Sequence, residues 1–309
     1  TGHCCVKMGK RREKRRLQQA IGLCRIPVRR RVPDGGATVL PSFFSFLKLG
    51  GHGMRLPDKR CIVLDMDGTI YMGDKPIEGA VAFVQRHWED VDFFFLSNNT
   101  SKAPETYIKK LNGMGIPARR EQLLSPVTPL VAFLEAEGIH TAYVVGNRDF
   151  VSDLRQRMPE LKQQEEGAQA VILAYDTELT YEKLSRSALL LQKDDVRFLA
   201  THPDLVCPSP EGPLPDVGSF LALYATATGR RPERIFGKPD ATLLSGLLQR
   251  YAPENMLMVG DRLSTDKLLA ENAGIDFLLV LSGEARRSDL PGLERQPTLV
   301  LDHLGLLDQ

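Results

Sequence analysis

Cysteine is scarce and unevenly placed: of five in 309 residues, Cys4, Cys5 and Cys24 lie near the start and only Cys61 and Cys207 beyond. No even, regularly spaced set forms, which argues against a disulfide framework and makes the reducing cytoplasm the expected location. The early cysteines and His3 contain no C-x-x-C pair, so they make no zinc site. Long apolar runs are also missing. The nearest, Gly35 to Leu47, holds Pro41, Ser42 and Ser45 and falls short of the roughly 20 apolar residues a spanning helix needs, so no membrane anchor is expected. Acids are nearly absent from residues 1–53, where Glu13 and Asp34 face 12 Lys and Arg; the remaining chain holds 37 acids against 28 bases. The net charge of +1 thus averages a basic leader with an acidic body. An acidic body argues against general nucleic-acid binding, which needs a basic footprint.

The leader's arginines (Arg11, Arg12, Arg15, Arg16 and Arg29 to Arg31) lack the serines of a transit peptide, and no small-residue cleavage site follows them. Val32-Pro33 after Arg31 does not suit a twin-arginine signal. We expect residues 1–53 to be dispensable upstream sequence, with Met54 the true start. The peptide Leu49-Gly50-Gly51-His52-Gly53-Met54 can be encoded with a bacterial ribosome-binding sequence at a workable distance from the ATG. A flexible basic tail is the alternative.

From residue 61 the texture changes. Short apolar runs at Cys61 to Leu64, Val91 to Leu96, Ala142 to Val145, Ala170 to Tyr175, Arg197 to Ala200, Met256 to Val259, Phe277 to Leu281 and Thr298 to Leu301 each suit a buried strand. Between them, sets such as Ala80, Phe83, Val84, His87, Trp88 and Leu243, Leu244, Leu247, Leu248, Tyr251 share one face of a helix. This alternation predicts an α/β fold with a largely parallel sheet. Ligands then bind beyond the carboxyl ends of the strands, so chemistry is expected directly after each run.

Four such places stand out. After Leu64 comes Asp65-Met66-Asp67-Gly68-Thr69, two carboxylates and a glycine whose amide is available to an anion; a calcium loop is excluded because Ile70 and Pro76 occupy its Gly and Glu positions. After Leu96 comes Ser97-Asn98-Asn99-Thr100, read as a hydroxyl and amides at a helix start, a seat for phosphate or simply a helix cap. After Phe236 comes Gly237-Lys238-Pro239-Asp240, with Pro239 suited to the first turn of a helix. After Val259 comes Gly260-Asp261-Arg262-Leu263-Ser264-Thr265-Asp266, whose carboxylates suit a hard cation together with the first two.

Together, Asp65-x-Asp67-Gly68-Thr69, Ser97, Lys238 and Gly260-Asp261 with Asp266 resemble the four ordered motifs of the haloacid dehalogenase superfamily, over about residues 58–305. The Ser97-Asn98-Asn99-Thr100 form, the long insert before Lys238 and Thr201-His202-Pro203-Asp204 are similar to its NagD-type, 4-nitrophenylphosphatase-like branch. The resemblance implies a Rossmann-like parallel-sheet core, residues 54–137 and 233–309, with an inserted α/β cap domain at 138–232 that carries helices near 180–192 and 217–228.

It also implies a Mg2+-dependent hydrolase of small phosphate monoesters working through an aspartyl-phosphate. Asp65 would be the nucleophile and Asp67 the general acid and base. Mg2+ would be held by Asp65, the Asp67 backbone carbonyl and Asp261, with Asp266 orienting the metal shell or Lys238. Ser97 and Lys238 would hold the phosphoryl oxygens, assisted by Asn98 and the Gly68 and Thr69 amides. Thr201, His202 and Asp204 would read the substrate, His202 standing where the family commonly has Asn. The expected partner is a small phosphorylated metabolite such as a sugar phosphate or nucleotide, with 4-nitrophenyl phosphate accepted in vitro and a homo-oligomer compatible with the chain. The alternatives are a phosphotransferase or phosphomutase on the same core, and a nucleic-acid-end phosphatase using the leader.

Overall fold

In a parallel sheet covered on both faces most strand residues are buried, and the apolar runs of this chain build two such sheets. The computed structural model describes residues 58–209 and 211–307; the expectations for residues 1–53 and for Met54 lie outside the described residues. The first sheet has six strands in the order Leu299–Leu301, Asp276–Val280, Met256–Gly260, Cys61–Asp65, Asp92–Leu96 and Leu123–Leu124, every neighbouring pair parallel. Successive residues of a strand serve opposite faces. Ile62 and Leu64 accordingly join Phe83, Val84, Phe93 and Phe95 in one apolar layer, while Cys61 and Val63 join Phe94, Leu243 and Leu247 in the other. Full burial of each large side chain contributes roughly 1.5–3 kcal/mol.

The second sheet is built by the insert. Its strands run Arg234–Ile235, Arg197–Ala200, Ala170–Leu173, Thr141–Val145 and Lys162–Gln163, again all parallel. Helices Val127–Glu137 and Arg148–Arg157 cover one face and Tyr181–Leu190 and Val217–Thr228 the other. Thr180 and Asp216 start the latter pair as side-chain caps, accepting the N–H of Lys183 at 3.2 Å and of Val217 at 2.6 Å. Among the described residues no helix is long and apolar enough to cross a membrane.

Three details differ from the sequence expectation. The second-sheet unit is wider than 138–232: Val127, Leu130 and Leu134 pack in the same apolar layer as Ala142, Ile172 and Leu199, and Arg234–Ile235 pairs with Arg197–Ala200. The segment from Leu243 to Tyr251 is no single helix but a 3-10 turn, Ala241–Leu244, followed by one α-turn, Ser245–Leu248. Gly246 lies inside that turn and weakens helix propagation by about 1 kcal/mol relative to Ala, although Leu243, Leu244 and Leu247 are buried as their spacing implied. Finally, the helix from Ala80 ends at Arg86, and Trp88 stacks on Phe93 at 5.9 Å between ring centroids instead of extending it.

Candidate active site

The register of the first sheet decides which residues meet. Asp65 pairs with Leu96 and Leu64 with Val259, so Asp65, Ser97 and Asp261 emerge side by side at the carboxyl edge of three adjacent strands. Lys238 reaches the same place from the end of the second sheet. Its Nζ lies 2.5 Å from Asp65 Oδ1 and 2.6 Å from Asp266 Oδ1. Asp266 sits in a π-helical segment, Leu263–Lys267, that turns its carboxylate back so that Oδ2 accepts the Arg262 N–H at 3.0 Å. Asp261 Oδ2 accepts the Glu284 N–H at 2.7 Å, whereas Asp261 Oδ1 is buried and has no partner among the described residues.

Three carboxylates packed around one ammonium repel each other. Burial raises the Asp65 carboxyl well above its ordinary value; Lys238 opposes this, and Asp266 and Asp261 add to it. Burial first and Asp266 second push Asp261 up to about 6. For Lys238 burial pulls the ammonium down, but Asp266 and Asp65 outweigh it and hold the proton more firmly than in water. The arrangement asks for more positive charge than one lysine brings.

A divalent cation suits these residues. One ligand atom from each of Asp65, Asp261 and Asp266 lies within 4.8 Å of the others, and hard cations are bound by such oxygens. Both Asp266 oxygens are engaged by Lys238 and Arg262, which leaves the orphaned Asp261 Oδ1 and the Asp65 carboxylate as the available donors. Small residues keep the space open: a Cβ at Gly68 or Gly283 would lie 2.6 or 1.9 Å from Asp261 Oδ2.

The turn after Asp65 corrects one expectation. Gly68, at φ 87°, donates its N–H to the Tyr71 carbonyl at 2.8 Å, and Thr69 donates to the Met66 carbonyl at 3.3 Å. Both amides are therefore engaged within the turn and not presented to an anion; the buried Thr69 Oγ1 has no partner among the described residues. Asp67 is exposed as a residue, but its carboxyl group is crowded by protein atoms. Desolvation raises its carboxyl, against the pull of Lys110, Lys102, Arg262 and Lys238.

Ser97 is buried beside Asp65 but does not start a helix, which begins only at Pro104. The intervening polar side chains bind elsewhere and so compete with helical backbone. Ser97 Oγ accepts from Asn99 N–H at 3.1 Å, Thr100 Oγ1 accepts from Tyr175 N–H at 3.1 Å, and Asn147 Nδ2 donates to the Ser101 carbonyl at 2.7 Å. Likewise Pro239 opens no helix; Asp240 caps the following 3-10 turn through Thr242 N–H at 2.9 Å. Asn98, expected on the phosphate, is held by Lys238 and Asp204: its Oδ1 accepts the Lys238 N–H at 2.7 Å and its Nδ2 donates to both Asp204 oxygens at 3.3 Å.

Thr201 and His202 are wholly buried, so neither side chain is placed to read a substrate. His202 Nε2 pairs with Asp216 Oδ1 at 2.9 Å and its Nδ1 with Thr201 Oγ1 at 2.9 Å, fixing the loop to the cap of helix Val217–Thr228. Asp204 does reach the site. Besides Asn98 it faces Arg262 Nη1 at 3.5 Å, and Arg262 Nε lies 3.1 Å from Glu284 Oε2. Arg262 was not singled out in the sequence, though its place directly after Asp261 at a strand end was the available signal.

Residues 62–157 match the family described as haloacid dehalogenase-like hydrolase, and residues 235–307 match a HAD-hydrolase-like family. A 4-nitrophenylphosphatase structure from Thermotoga maritima is 35% identical, with a TM-score of 0.77 over 82% of this chain and 97% of that one. The 5'-nucleotidase YutF of Bacillus subtilis is 32% identical over 249 residues, 78% of this chain and 94% of the relative. A glycerol phosphate phosphatase from Mycobacterium tuberculosis, solved in complex with calcium, is 27% identical with a TM-score of 0.75, covering 82% of this chain and 76% of that one.

Proposed function

The chain belongs to the haloacid dehalogenase-like hydrolases and is an enzyme of phosphate monoesters, and from that premise we propose that it releases phosphate from small metabolites through a covalent intermediate on Asp65. The observation that carries this reading is the buried meeting of Asp65, Asp261, Asp266 and Lys238 at one sheet edge, with Asp261 Oδ1 left unpartnered among the described residues.

Asp65 is held at one oxygen by Lys238, which orients the other toward an incoming phosphorus. Asp65, Asp261 and the Asp67 backbone carbonyl would hold a Mg2+ ion, which when bound would supply charge to offset repulsion between the carboxylate and a phosphate dianion. Attack by Asp65 forms the carboxyl–phosphorus bond as the bond to the leaving oxygen breaks. Asp67, with its carboxyl raised, gives its proton to that oxygen. It then takes a proton from the water that attacks phosphorus, releasing phosphate and regenerating Asp65. Lys238 and Ser97 hold the equatorial oxygens, where charge develops. Asp266 keeps Lys238 in place.

In this reading the second-sheet unit is a cap over the site, and the leaving group is a small alcohol such as a sugar, nucleoside or glycerol. Phosphate release across a panel of such monoesters, with Mg2+ and with EDTA, tests it. Turnover that persists in EDTA, or an absence of phosphate release from every monoester, would contradict it.

A further inference from the structure

Asn98 lies where its own strand end, the Lys238 segment and the Asp204 loop come together. It follows Ser97 at the end of Asp92–Leu96, and it is buried. Its side chain grips the Lys238 backbone from both sides: Oδ1 accepts the N–H at 2.7 Å and Nδ2 donates to the carbonyl at 3.3 Å. The same Nδ2 faces both oxygens of Asp204, on the loop of the second-sheet unit, at 3.3 Å. Gly237 makes this crossing fit, since a Cβ there would lie 2.6 Å from His202 Cβ, 2.7 Å from Asn98 Oδ1 and 2.7 Å from the Thr201 carbonyl. The Asp204 loop is itself braced, with its carbonyl accepting the Gly218 N–H at 2.8 Å and His202 tied to Asp216. The chain of contacts from Asp204 through Asn98 to Lys238 ends on Asp65.

We propose that Asn98 is a positioning residue that couples the Asp204 loop of the second-sheet unit to Lys238, so that closure of this loop on the core sets the ammonium against Asp65 and Asp266. The proposal rests on the phosphatase reading above. It assigns Asp204 a role in the rate of the chemical step with every substrate, in place of a role in choosing among substrates. A displaced ammonium loses charge stabilisation that matters most in the transition state, so the effect falls on kcat more than on KM.

The test is a double-mutant cycle on kcat with 4-nitrophenyl phosphate and with a sugar phosphate. Asn98→Asp keeps an acceptor for the Lys238 N–H but turns a carboxylate toward Asp204. Asp204→Asn removes that clash. We expect Asn98→Asp to lower kcat at least about tenfold on both substrates, and Asn98→Asp with Asp204→Asn to recover at least about threefold, a coupling of roughly 0.6 kcal/mol or more. A double variant no better than Asn98→Asp would overturn the proposal, since a merely structural loop gives additive losses. Should Asn98→Asp fail to fold, Asp204→Ala decides alone. A fall in kcat shared by both substrates supports the coupling; an effect confined to KM, or to the sugar phosphate, refutes it. Wild type that releases no phosphate would instead sink the phosphatase reading.

Discussion

Replacing Lys238 by Met keeps the volume of the side chain and removes the ammonium that lies 2.5 and 2.6 Å from Asp65 and Asp266. Both carboxylates are buried, Asp266 completely. Removing one partner of a buried pair costs roughly 3–5 kcal/mol, because a charge is left uncompensated. Protonation sets a ceiling on that cost: keeping a carboxyl neutral at pH 7.5 when its ordinary value is near 3.9 takes about 5 kcal/mol, but only about 1.5 kcal/mol at pH 5. The Asp65 carboxyl is already raised by burial, so the folded state holds its proton more tightly than the unfolded chain does, and its contribution to stability falls as pH rises. Without Lys238 that fall steepens. We therefore expect Lys238→Met to lose about 3–5 kcal/mol at pH 7.5 in EDTA, a Tm drop of roughly 6–20 °C, and about 1–2 kcal/mol at pH 5. Mg2+ should restore part of the loss at pH 7.5, because a bound cation stabilises the folded state by mass action. Thermal unfolding at the two pH values, with EDTA and with Mg2+, reads all of this. Equal Tm values at pH 7.5 in EDTA, or a deficit that grows toward pH 5, would refute the reasoning.

Gly68→Ala should abolish Mg2+-induced stabilisation and most activity while the protein still folds, because its Cβ would lie 2.6 Å from Asp261 Oδ2 at a backbone φ of 87°; an unchanged Mg2+-dependent Tm shift would show that the cation binds elsewhere. His202→Ala leaves Asp216 with fewer partners in a buried site and should cost about 1–3 kcal/mol in urea unfolding, with KM for 4-nitrophenyl phosphate changed less than about threefold. A large KM effect with unchanged stability would return His202 to the substrate.

The fold was legible because burial on both faces leaves unbroken apolar runs, and each of the eight runs from Cys61 to Leu301 overlaps a strand. The two-residue strands Leu123–Leu124 and Lys162–Gln163 were not legible, since two residues carry no period, and Arg234–Ile235 was read one residue late, as Ile235-Phe236. The edge of the second-sheet unit was misplaced for a related reason. Val127–Glu137 is apolar round most of its surface and could cover either sheet, and only the packing shows which one. At the site, carboxylates after strands were readable because strand ends gather there, as Asp65 and Asp261 do. Hydrogen-bond partners were not. Ser97-Asn98-Asn99-Thr100 has the composition of a helix cap, and the sequence holds no sign that Tyr175, Asn147, Lys238 and Asp204 would engage this loop instead. His202 shows the same limit: a polar residue after a strand reads as a contact for ligand until a buried carboxylate such as Asp216 is found beside it.

The central claim is that Asp65 carries the phosphoryl group. Asp67→Asn should slow the water-dependent second step while 4-nitrophenolate, a good leaving group, still departs from the first. Acid-quenching this variant during turnover of 4-nitrophenyl phosphate, followed by peptide mass spectrometry, tests the claim directly. The account requires one phosphoryl group on the peptide containing Asp65, absent when Asp65 is also changed to Asn. A phosphoryl group on any other residue, or undiminished phosphate release by Asp65→Asn with Mg2+, would contradict it.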